Sequence, residues 1–388
     1  MPILTEPFSR SCGVTSFLKT TDIAPARPTT LPRRFFVSSD VFAEEMEKIF
    51  GARWLCVGRE SLIAKPGDYI LREVGRESIL ILRDTSGTVR AFYNVCRHRG
   101  SRLCEAASGA LGQSIRCPYH AWTYALDGRL LGAPSSDTID DFDATAYPLH
   151  AVSVARWEGF VFINLADRPV PFVEAYEPAI GRFTRFNMPE LMVARAIEYD
   201  VRANWKLILQ NYSECYHCAP IHPALARHTP PTSGENDLVA GPILGGFMTL
   251  NPGSESLTMS GSSCGVPVGD LPPEDLHRVY YYTFFPNVLL SLHPDYVMVH
   301  TLWPVAVDRT RITCQWLFQP ASLASEAFDP DDGVAFWDMT NRQDWHICEQ
   351  SQLGVQSRKY EPGPYSRRET LAAAVDQEVL RALGLDGS

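Results

Sequence analysis

The sequence lacks an apolar run long enough to cross a membrane. Its longest such run extends from Tyr280 to Leu292 and is interrupted by Pro286 and Asn287, whereas a membrane-spanning helix needs about 20 apolar residues. The N-terminus also lacks the basic segment and apolar run of a secretory signal. These absences favour a cytoplasmic protein without a membrane partner.

Positive charge is scarce as well. The 388 residues include 35 lysines and arginines against 45 aspartates and glutamates, for a net charge of −10. An acidic chain without a basic block is a poor ligand for nucleic acid, so we expect no nucleic-acid partner. The chain also has no G-x-G-x-x-G fingerprint of a dinucleotide-binding domain.

Cysteine is sparse, at 10 of 388 residues. This number is too small for a disulfide scaffold and too large to ignore. In a reducing compartment, clustered cysteines favour a metal or catalytic site over disulfides.

The pattern of short apolar runs and turns predicts two kinds of domain. From Trp54 to about Leu165, β-like runs alternate with turn signals such as Asp127-Gly128, which predicts a small antiparallel β domain. The remainder mixes helices and strands, so the chain is expected to be α+β. Helices are predicted over 39–51, 204–218, 333–354 and 368–384, and strands over 280–307 and 312–318. The expected divisions are 1–42 as an arm and helix start packed on the C-terminal domain, 43–166 as the β domain and 167–388 as the C-terminal domain.

Two short segments of the β domain each pair a cysteine with a histidine. They read Cys96-x-His98 and Cys117-x2-His120, so two loops together supply two thiolates and two imidazoles. Zinc fingers usually pair Cys with Cys and His with His. The mixed pairing is typical of a Rieske [2Fe–2S] centre, in which two imidazoles replace two thiolates on one iron. A structural zinc site is the alternative interpretation.

A second constellation lies in NYSECYHCAPIHP. On a continuous helix, Asn211, Glu214 and His217 recur every three residues and share one face. His222 follows His217 by five residues, which rotates an ideal helix by about 500° and leaves about 140° between the side chains. Both histidines therefore reach one metal only if the helix breaks between them, and two prolines in this segment favour such a break.

A third ligand is expected downstream, in NRQDWHICEQSQLGVQS. Asp344 is the only carboxylate on the helical face that it shares with Asn341 and Cys348. Two histidines and one carboxylate form the facial triad that binds non-haem Fe(II) and leaves positions open for oxygen and substrate. Glu349 is the alternative carboxylate, but it lies off this face.

Taken in order, CRHRG…CPYH, NYSECYHCAPIHP and the Asp344 helix resemble the motifs of Rieske non-haem iron oxygenases, in their catalytic (alpha) subunit. The resemblance covers essentially the whole chain. It implies an N-terminal all-β Rieske [2Fe–2S] domain and a C-terminal catalytic domain of the helix-grip, START-like type with an antiparallel sheet. One departure is Ala121, since CPYHGW is commoner in this family than CPYHAW.

The resemblance also implies roles for individual residues. The implied ligands are Cys96 and Cys117 on one Rieske iron, His98 and His120 on the other, and His217, His222 and Asp344 on a mononuclear Fe(II). Glu214 would carry electrons between the centres, hydrogen-bonded to a Rieske histidine of the neighbouring subunit and to a histidine on the mononuclear iron. Asn211 is a further candidate catalytic residue. The other eight cysteines, including Cys215 and Cys218, are expected to be packing residues.

The same family implies a set of partners. Electrons would come from NAD(P)H through a separate flavin and ferredoxin-type reductase, and O2 would be the cosubstrate. Because the cluster of one subunit serves the iron of the next in this family, a homotrimer is expected.

The substrate is the least defined expectation. Many ring-hydroxylating members carry aspartate where this chain has Glu214, which resembles the members that act on quaternary ammonium compounds such as choline, carnitine, glycine betaine and stachydrine. We therefore expect N-demethylation or hydroxylation of such a compound. Alternatives are oxygenation of an aromatic acid or other aromatic substrate, and a Rieske electron-transfer protein without oxygenase activity. Most aromatic residues of the C-terminal domain are expected in its core, while two or three could face a cavity and hold a methylammonium by cation–π attraction.

Overall fold

The computed structural model describes residues 16–326 and 328–386. Within them, strands form an eight-stranded, a seven-stranded and a three-stranded sheet. In chain order the strands are β1 Leu18–Lys19, β2 Leu55–Arg59, β3 Asp68–Val74, β4 Glu77–Arg83, β5 Val89–Tyr93, β6 Ser108–Ala110, β7 Ser114–Arg116, β8 Thr123–Ala125, β9 Leu130–Gly132, β10 Ala151–Trp157, β11 Phe160–Asn164, β12 Met192–Val201, β13 Glu235–Leu238, β14 Ile243–Thr249, β15 Arg278–Phe284, β16 Val288–Leu292, β17 Val297–Ala306 and β18 Arg309–Phe318.

Helices occur mainly in the C-terminal half. They are α1 Arg34–Val37, α2 Ser39–Glu45, α3 Phe172–Ala175, α4 Trp205–Tyr212, α5 Cys218–Ile221, α6 Pro223–His228, α7 Pro320–Leu323, α8 Asp331–Val355 and α9 Thr370–Leu383, with a π-helical turn over Met46–Phe50. No helix among the described residues is both long and apolar enough to cross a membrane.

The seven-stranded sheet, in the order β2-β11-β10-β5-β4-β3-β6, and the three-stranded sheet β7-β8-β9 build the β domain. Every strand pair in them is antiparallel, as predicted. Along β4, Ile79 and Ile81 face one core and the alternate residues Leu80 and Leu82 face another. The second core also contains the cysteines of both Cys/His motifs, so the outer face of the sheet supports the two loops.

The eight-stranded sheet has the order β1-β13-β14-β15-β16-β17-β18-β12. Successive side chains of β15 point to opposite faces of the sheet, so its consecutive aromatic residues are divided between the two faces. Tyr280 and Tyr282 pack against Phe186 and Phe183 on one face, with ring centroids 5.9 and 5.0 Å apart. The intervening Tyr281 points to the opposite face, where it lies 6.4 Å from the ring of Trp337 on α8.

Helices α4, α8 and α9 pack together over that face. Gln352 of α8 fixes the register of α8 against α4, because its side chain accepts a hydrogen bond from the Asn204 backbone N–H at 2.9 Å and donates to the Phe36 carbonyl at 3.2 Å. Asn204 in turn caps α4 by accepting from the Lys206 N–H at 3.1 Å. The antiparallel sheet with its long helix is the mixed architecture expected for this half of the chain.

The helix predicted over 204–218 is wrong in its extent, since α4 ends at Tyr212. Glu214 explains the early end. Its carboxylate accepts hydrogen bonds from the backbone N–H groups of Tyr216 and, at 3.3 Å, His217, which favours a turn over a continued helix. Asn211, Glu214 and His217 therefore do not share one helical face, and the turn brings them together instead.

Cys215 and Cys218 also differ from expectation. They are joined by a disulfide instead of being free packing residues. The turn after α4 places their Cα atoms 4.9 Å apart, within the range that a disulfide spans. The Cys-x-x-Cys spacing is compatible with this bond, and the turn geometry brings the two side chains together.

A buried ion pair fixes α4 to the N-terminal helices. Lys206 and Glu45 are fully buried, with Nζ 2.5 Å from Oε1, and Glu45 also accepts a hydrogen bond from the Trp205 indole at 2.8 Å. Burial lowers the pKa of Lys206 despite the neighbouring carboxylate. Because neither charge reaches water, each is stabilised by the opposite charge beside it.

We predict that Lys206→Met destabilises the fold by about 3–5 kcal/mol, because it leaves the Glu45 carboxylate buried and unpaired. The double variant Lys206→Met/Glu45→Gln should recover at least about 1 kcal/mol, since it removes the orphaned charge and keeps an acceptor for Trp205. Urea denaturation at neutral pH measures both values. A Lys206→Met loss below about 1 kcal/mol would contradict this interpretation.

Candidate functional site

The two Cys/His loops lie side by side at one end of the β domain. Each loop closes on itself through its cysteine. The Cys96 N–H donates to the Ser101 carbonyl and the Cys117 N–H to the Trp122 carbonyl, both at 2.8 Å. The second loop turns at Ala121 with a left-handed φ of 58°, a conformation in which glycine is normally favoured. The unusual Ala121 therefore occupies a strained position without disturbing the ligand pattern.

The side chains of these loops form two like pairs. The rings of His98 and His120 have centroids 4.8 Å apart, and Cys96 and Cys117 are buried in the same core cluster. Burial raises the pKa of Cys96, and the Cys117 sulfur beside it raises it further. Tyr124, which sequence reasoning missed, places its hydroxyl 3.3 Å from the Cys96 sulfur.

This donor set fits a Rieske cluster. Two sulfurs face each other on one side and two imidazoles on the other, as required by a cluster with two thiolates on one iron and two imidazoles on the second. The Nδ1 atom of His120 is buried without a hydrogen-bond partner among the described residues, as expected of a nitrogen reserved for a metal. Tyr119, which stacks on His120 with centroids 3.7 Å apart, is 56% exposed, so the imidazole end of the site is at the surface.

The second cluster combines His217, His222 and Asp344, whose potential ligand atoms all lie within 4.8 Å of one another. The two histidines flank the short helix α5, and Asp344 comes from the middle of α8. Asp344 Oδ1 lies 3.2 Å from His217 Nε2 and 2.8 Å from His222 Nε2. Three ligands on one side of a metal leave the other side open.

Further side chains orient both imidazoles. His217 Nδ1 donates to Glu214 Oε1 at 2.5 Å, and His222 Nδ1 donates to Gln343 Oε1 at 2.7 Å. These contacts keep the proton on Nδ1 and turn both Nε2 atoms toward Asp344. Gln343 was not identified from the sequence, and the only available hint was that it precedes Asp344.

The electrostatics of this cluster favour positive charge. Burial lowers the pKa of His217, but hydrogen bonds to Asp344 and Glu214 outweigh burial and raise that pKa to about 10. In the reverse direction, burial raises the pKa of Asp344, and the contacts with His217 and His222 bring it below its ordinary value. A site that attracts a proton so strongly also suits a divalent cation bound between the same atoms.

The other candidates lie around this cluster at different distances. Asn211 Nδ2 lies 3.5 Å from His217 Nε2, at the edge of the cluster. Glu349, the alternative carboxylate, is engaged elsewhere, since its Oε1 accepts from the Arg202 N–H at 3.0 Å. The structure thus brings Asp344, and not Glu349, to the two histidines.

A cavity of about 140 Å³ opens to the surface and ends at the His217/His222/Asp344 cluster. A cavity of this size can hold a small molecule. Four aromatic residues contribute to its wall: Tyr212, Phe247, Tyr281 and Trp337. The sequence predicts that two or three aromatic residues of the C-terminal domain face a cavity, but Trp337 was missed because its helix carries no local signal for a cavity.

Comparison with known proteins agrees with this geometry. The model of the Rieske [2Fe–2S] domain family matches residues 53–144, and that of the ring hydroxylating alpha subunit (catalytic domain) matches residues 188–385. The glycine betaine monooxygenase oxygenase subunit of Chromohalobacter salexigens is 35% identical over 87% of this chain and 82% of its own length. The carnitine monooxygenase oxygenase subunit of Acinetobacter baumannii is 42% identical over about half of each chain.

Solved structures show the same architecture. The quaternary ammonium Rieske monooxygenase CntA in complex with L-carnitine superposes with a TM-score of 0.73 at 27% identity, over 92% of this chain and 95% of that one. Naphthalene 1,2-dioxygenase from Rhodococcus sp. has a TM-score of 0.72 at 20% identity, over 93% of this chain and 95% of its own, and shares the fold. The predicted order of a Rieske domain and an antiparallel catalytic domain is confirmed, and the chain belongs to the Rieske non-haem iron oxygenases as a catalytic alpha subunit.

Proposed function

We propose that this oxygenase hydroxylates a methyl group or C–H bond next to a quaternary nitrogen, with N-demethylation as the usual outcome. The observation that carries the proposal is the aromatic-walled cavity that ends at the His217/His222/Asp344 cluster. Relatives named glycine betaine and carnitine monooxygenase oxygenase subunits support the same substrate class.

The metal ligands follow from the two clusters. Cys96 and Cys117 would hold one iron of the [2Fe–2S] cluster and the two histidines of the same loops the other. His217, His222 and Asp344 would hold the mononuclear iron. When bound, these centres supply the electrons and the O2 activation that oxygenation requires.

Glu214 has a distinct task in this proposal. Its Oε1 accepts the Nδ1 proton of His217, while its Oε2 accepts from the backbone of the same turn. The carboxylate therefore ligates no metal and fixes the orientation and proton of one ligand. Glu214 is only half-buried, which leaves it accessible for contact with the Rieske histidine of a neighbouring subunit.

The aromatic wall supports binding of an alkylammonium. The faces of Tyr, Phe and Trp attract cations that lack hydrogen-bond donors, and each good contact contributes about 0.5–2 kcal/mol. Tyr212 and Tyr281 have ring centroids 6.1 Å apart at 73°, and Trp337 lies 6.4 Å from Tyr281. Their different orientations suit a rounded trimethylammonium group better than a flat ring.

We also propose the expected assembly. Electrons would come from NAD(P)H through a flavin and ferredoxin-type reductase, which fits the relatives' description as oxygenase subunits. A homotrimer in the cytoplasm would place the Rieske loops of one subunit near the Glu214 turn of the next. The exposed imidazole end of the Rieske site supports this contact.

The substrate class is tested with the reconstituted holoenzyme and a surrogate reductase. We expect glycine betaine or carnitine to stimulate NADH-dependent O2 uptake and to release a stoichiometric aldehyde product, formaldehyde in the case of N-demethylation. Oxygen electrode and product analysis over betaines, carnitine, choline and aromatic acids measure this. Phenol or diol products from aromatic acids, with only uncoupled NADH loss on betaines, would refute the proposed class.

Glu214→Gln should retain both metal centres and lose turnover roughly 100-fold or more, because the amide cannot replace the charge that holds the His217 proton. Iron content, the visible spectrum of the cluster and coupled O2 uptake report the three properties separately.

Asp344→Ala is the matched contrast, since it removes a ligand of the same cluster. It should lose the mononuclear iron while the Rieske spectrum is unchanged. If Glu214→Gln also lost that iron, Glu214 would be a ligand and its assignment here would be wrong.

A further inference from the structure

Two cationic side chains, Lys19 and Arg368, line the cavity together with the aromatic wall. These two cations cannot attract an alkylammonium group, because like charges repel. We infer that Arg368 binds the carboxylate of a zwitterionic substrate and so selects betaines over alkylammonium alcohols. This inference rests on the proposed function and adds a specificity-determining residue to it.

Arg368 is free to bind an anion. It lies on the turn that precedes α9 and is half-buried. Its guanidinium lies 5.5 Å from the ring centroid of Tyr216, and within residues 16–326 and 328–386 no carboxylate forms an ion pair with it. The adjacent Glu369 is engaged in a capping box, where its Oε2 accepts from the Ser366 N–H and hydroxyl at 2.9 and 2.8 Å. A partly buried guanidinium in a cavity thus retains its donors for a ligand.

Charges of both signs line the cavity, as a zwitterionic ligand requires. Glu214 and Asp344 contribute negative charge, and Arg368 contributes positive charge from the turn before α9. Leu371, in the first turn of α9, also lines the cavity, so this end of the helix forms part of the wall. An ammonium against the aromatic residues and a carboxylate on Arg368 would satisfy both ends of one ligand.

Arg368 is better suited to this task than Lys19. Lys19 is exposed on the short strand β1, where it is paired in register with Glu235 of β13. Water and this opposite charge both weaken its attraction for a ligand. The planar guanidinium of Arg368, in contrast, presents paired donors that match the two oxygens of a carboxylate.

The test compares ligands that share the ammonium and differ in the carboxylate. Dissociation constants of glycine betaine, carnitine and choline are measured by anaerobic calorimetry on holoenzyme variants, alongside KM and kcat. Arg368→Gln should weaken betaine and carnitine binding about 10-fold to 100-fold, the range for a lost hydrogen bond to a charged group. Choline binding should be unchanged or stronger, so that the preference for the carboxylate disappears while kcat at saturation is retained.

Two variants complete the experiment. Arg368→Lys should recover part of the carboxylate preference, which a merely structural role would not predict, and Lys19→Gln should change it less than about three-fold. Equal weakening of choline and betaines by Arg368→Gln, or a larger effect of Lys19→Gln, would overturn the inference while leaving the proposed function intact. If the wild-type holoenzyme bound none of the three ammonium compounds, the proposed function itself would be refuted.

Discussion

The whole catalytic half depends on the contact of one carboxylate with two histidines that lie far away in the sequence. Asp344 reaches Nε2 of both His217 and His222 because α8 is held in register with the start of α4. Gln352, two turns beyond Asp344, provides that register through its bond to Asn204. A shift of α8 by one residue would rotate Asp344 by about 100° away from the cluster.

Several buried polar and charged side chains around this contact are paired with one another. Glu214 and Gln343 accept hydrogen bonds from the Nδ1 atoms of His217 and His222. The Lys206–Glu45 ion pair joins α4 to α2. Burial makes each of these contacts costly to break, because an orphaned charge would remain. The cavity beside this contact is also lined by Lys19 and Arg368, and within the described part of the chain no carboxylate forms an ion pair with Arg368.

Much of this arrangement was predictable from the sequence. The alternating runs of the β domain, the paired Cys/His loops and the long helix around Asp344 all depend on local spacing, and the structure has these elements. The end of α4 was mispredicted because the Glu214 side chain competes with the helix for backbone N–H groups. Tyr124, Gln343, Trp337 and Arg368 carry no local signal, since only tertiary packing brings them to the sites.

On the proposed function, one chain binds two separate iron centres, each held by its own cluster of side chains. Metal and acid-labile sulfide analysis of the reconstituted protein measures both centres at once. The two sites together predict about three irons and about two sulfides per chain, from one [2Fe–2S] cluster and one mononuclear iron. A result of about two irons and about two sulfides, with full cluster absorbance, would show that the His217/His222/Asp344 cluster does not hold a metal.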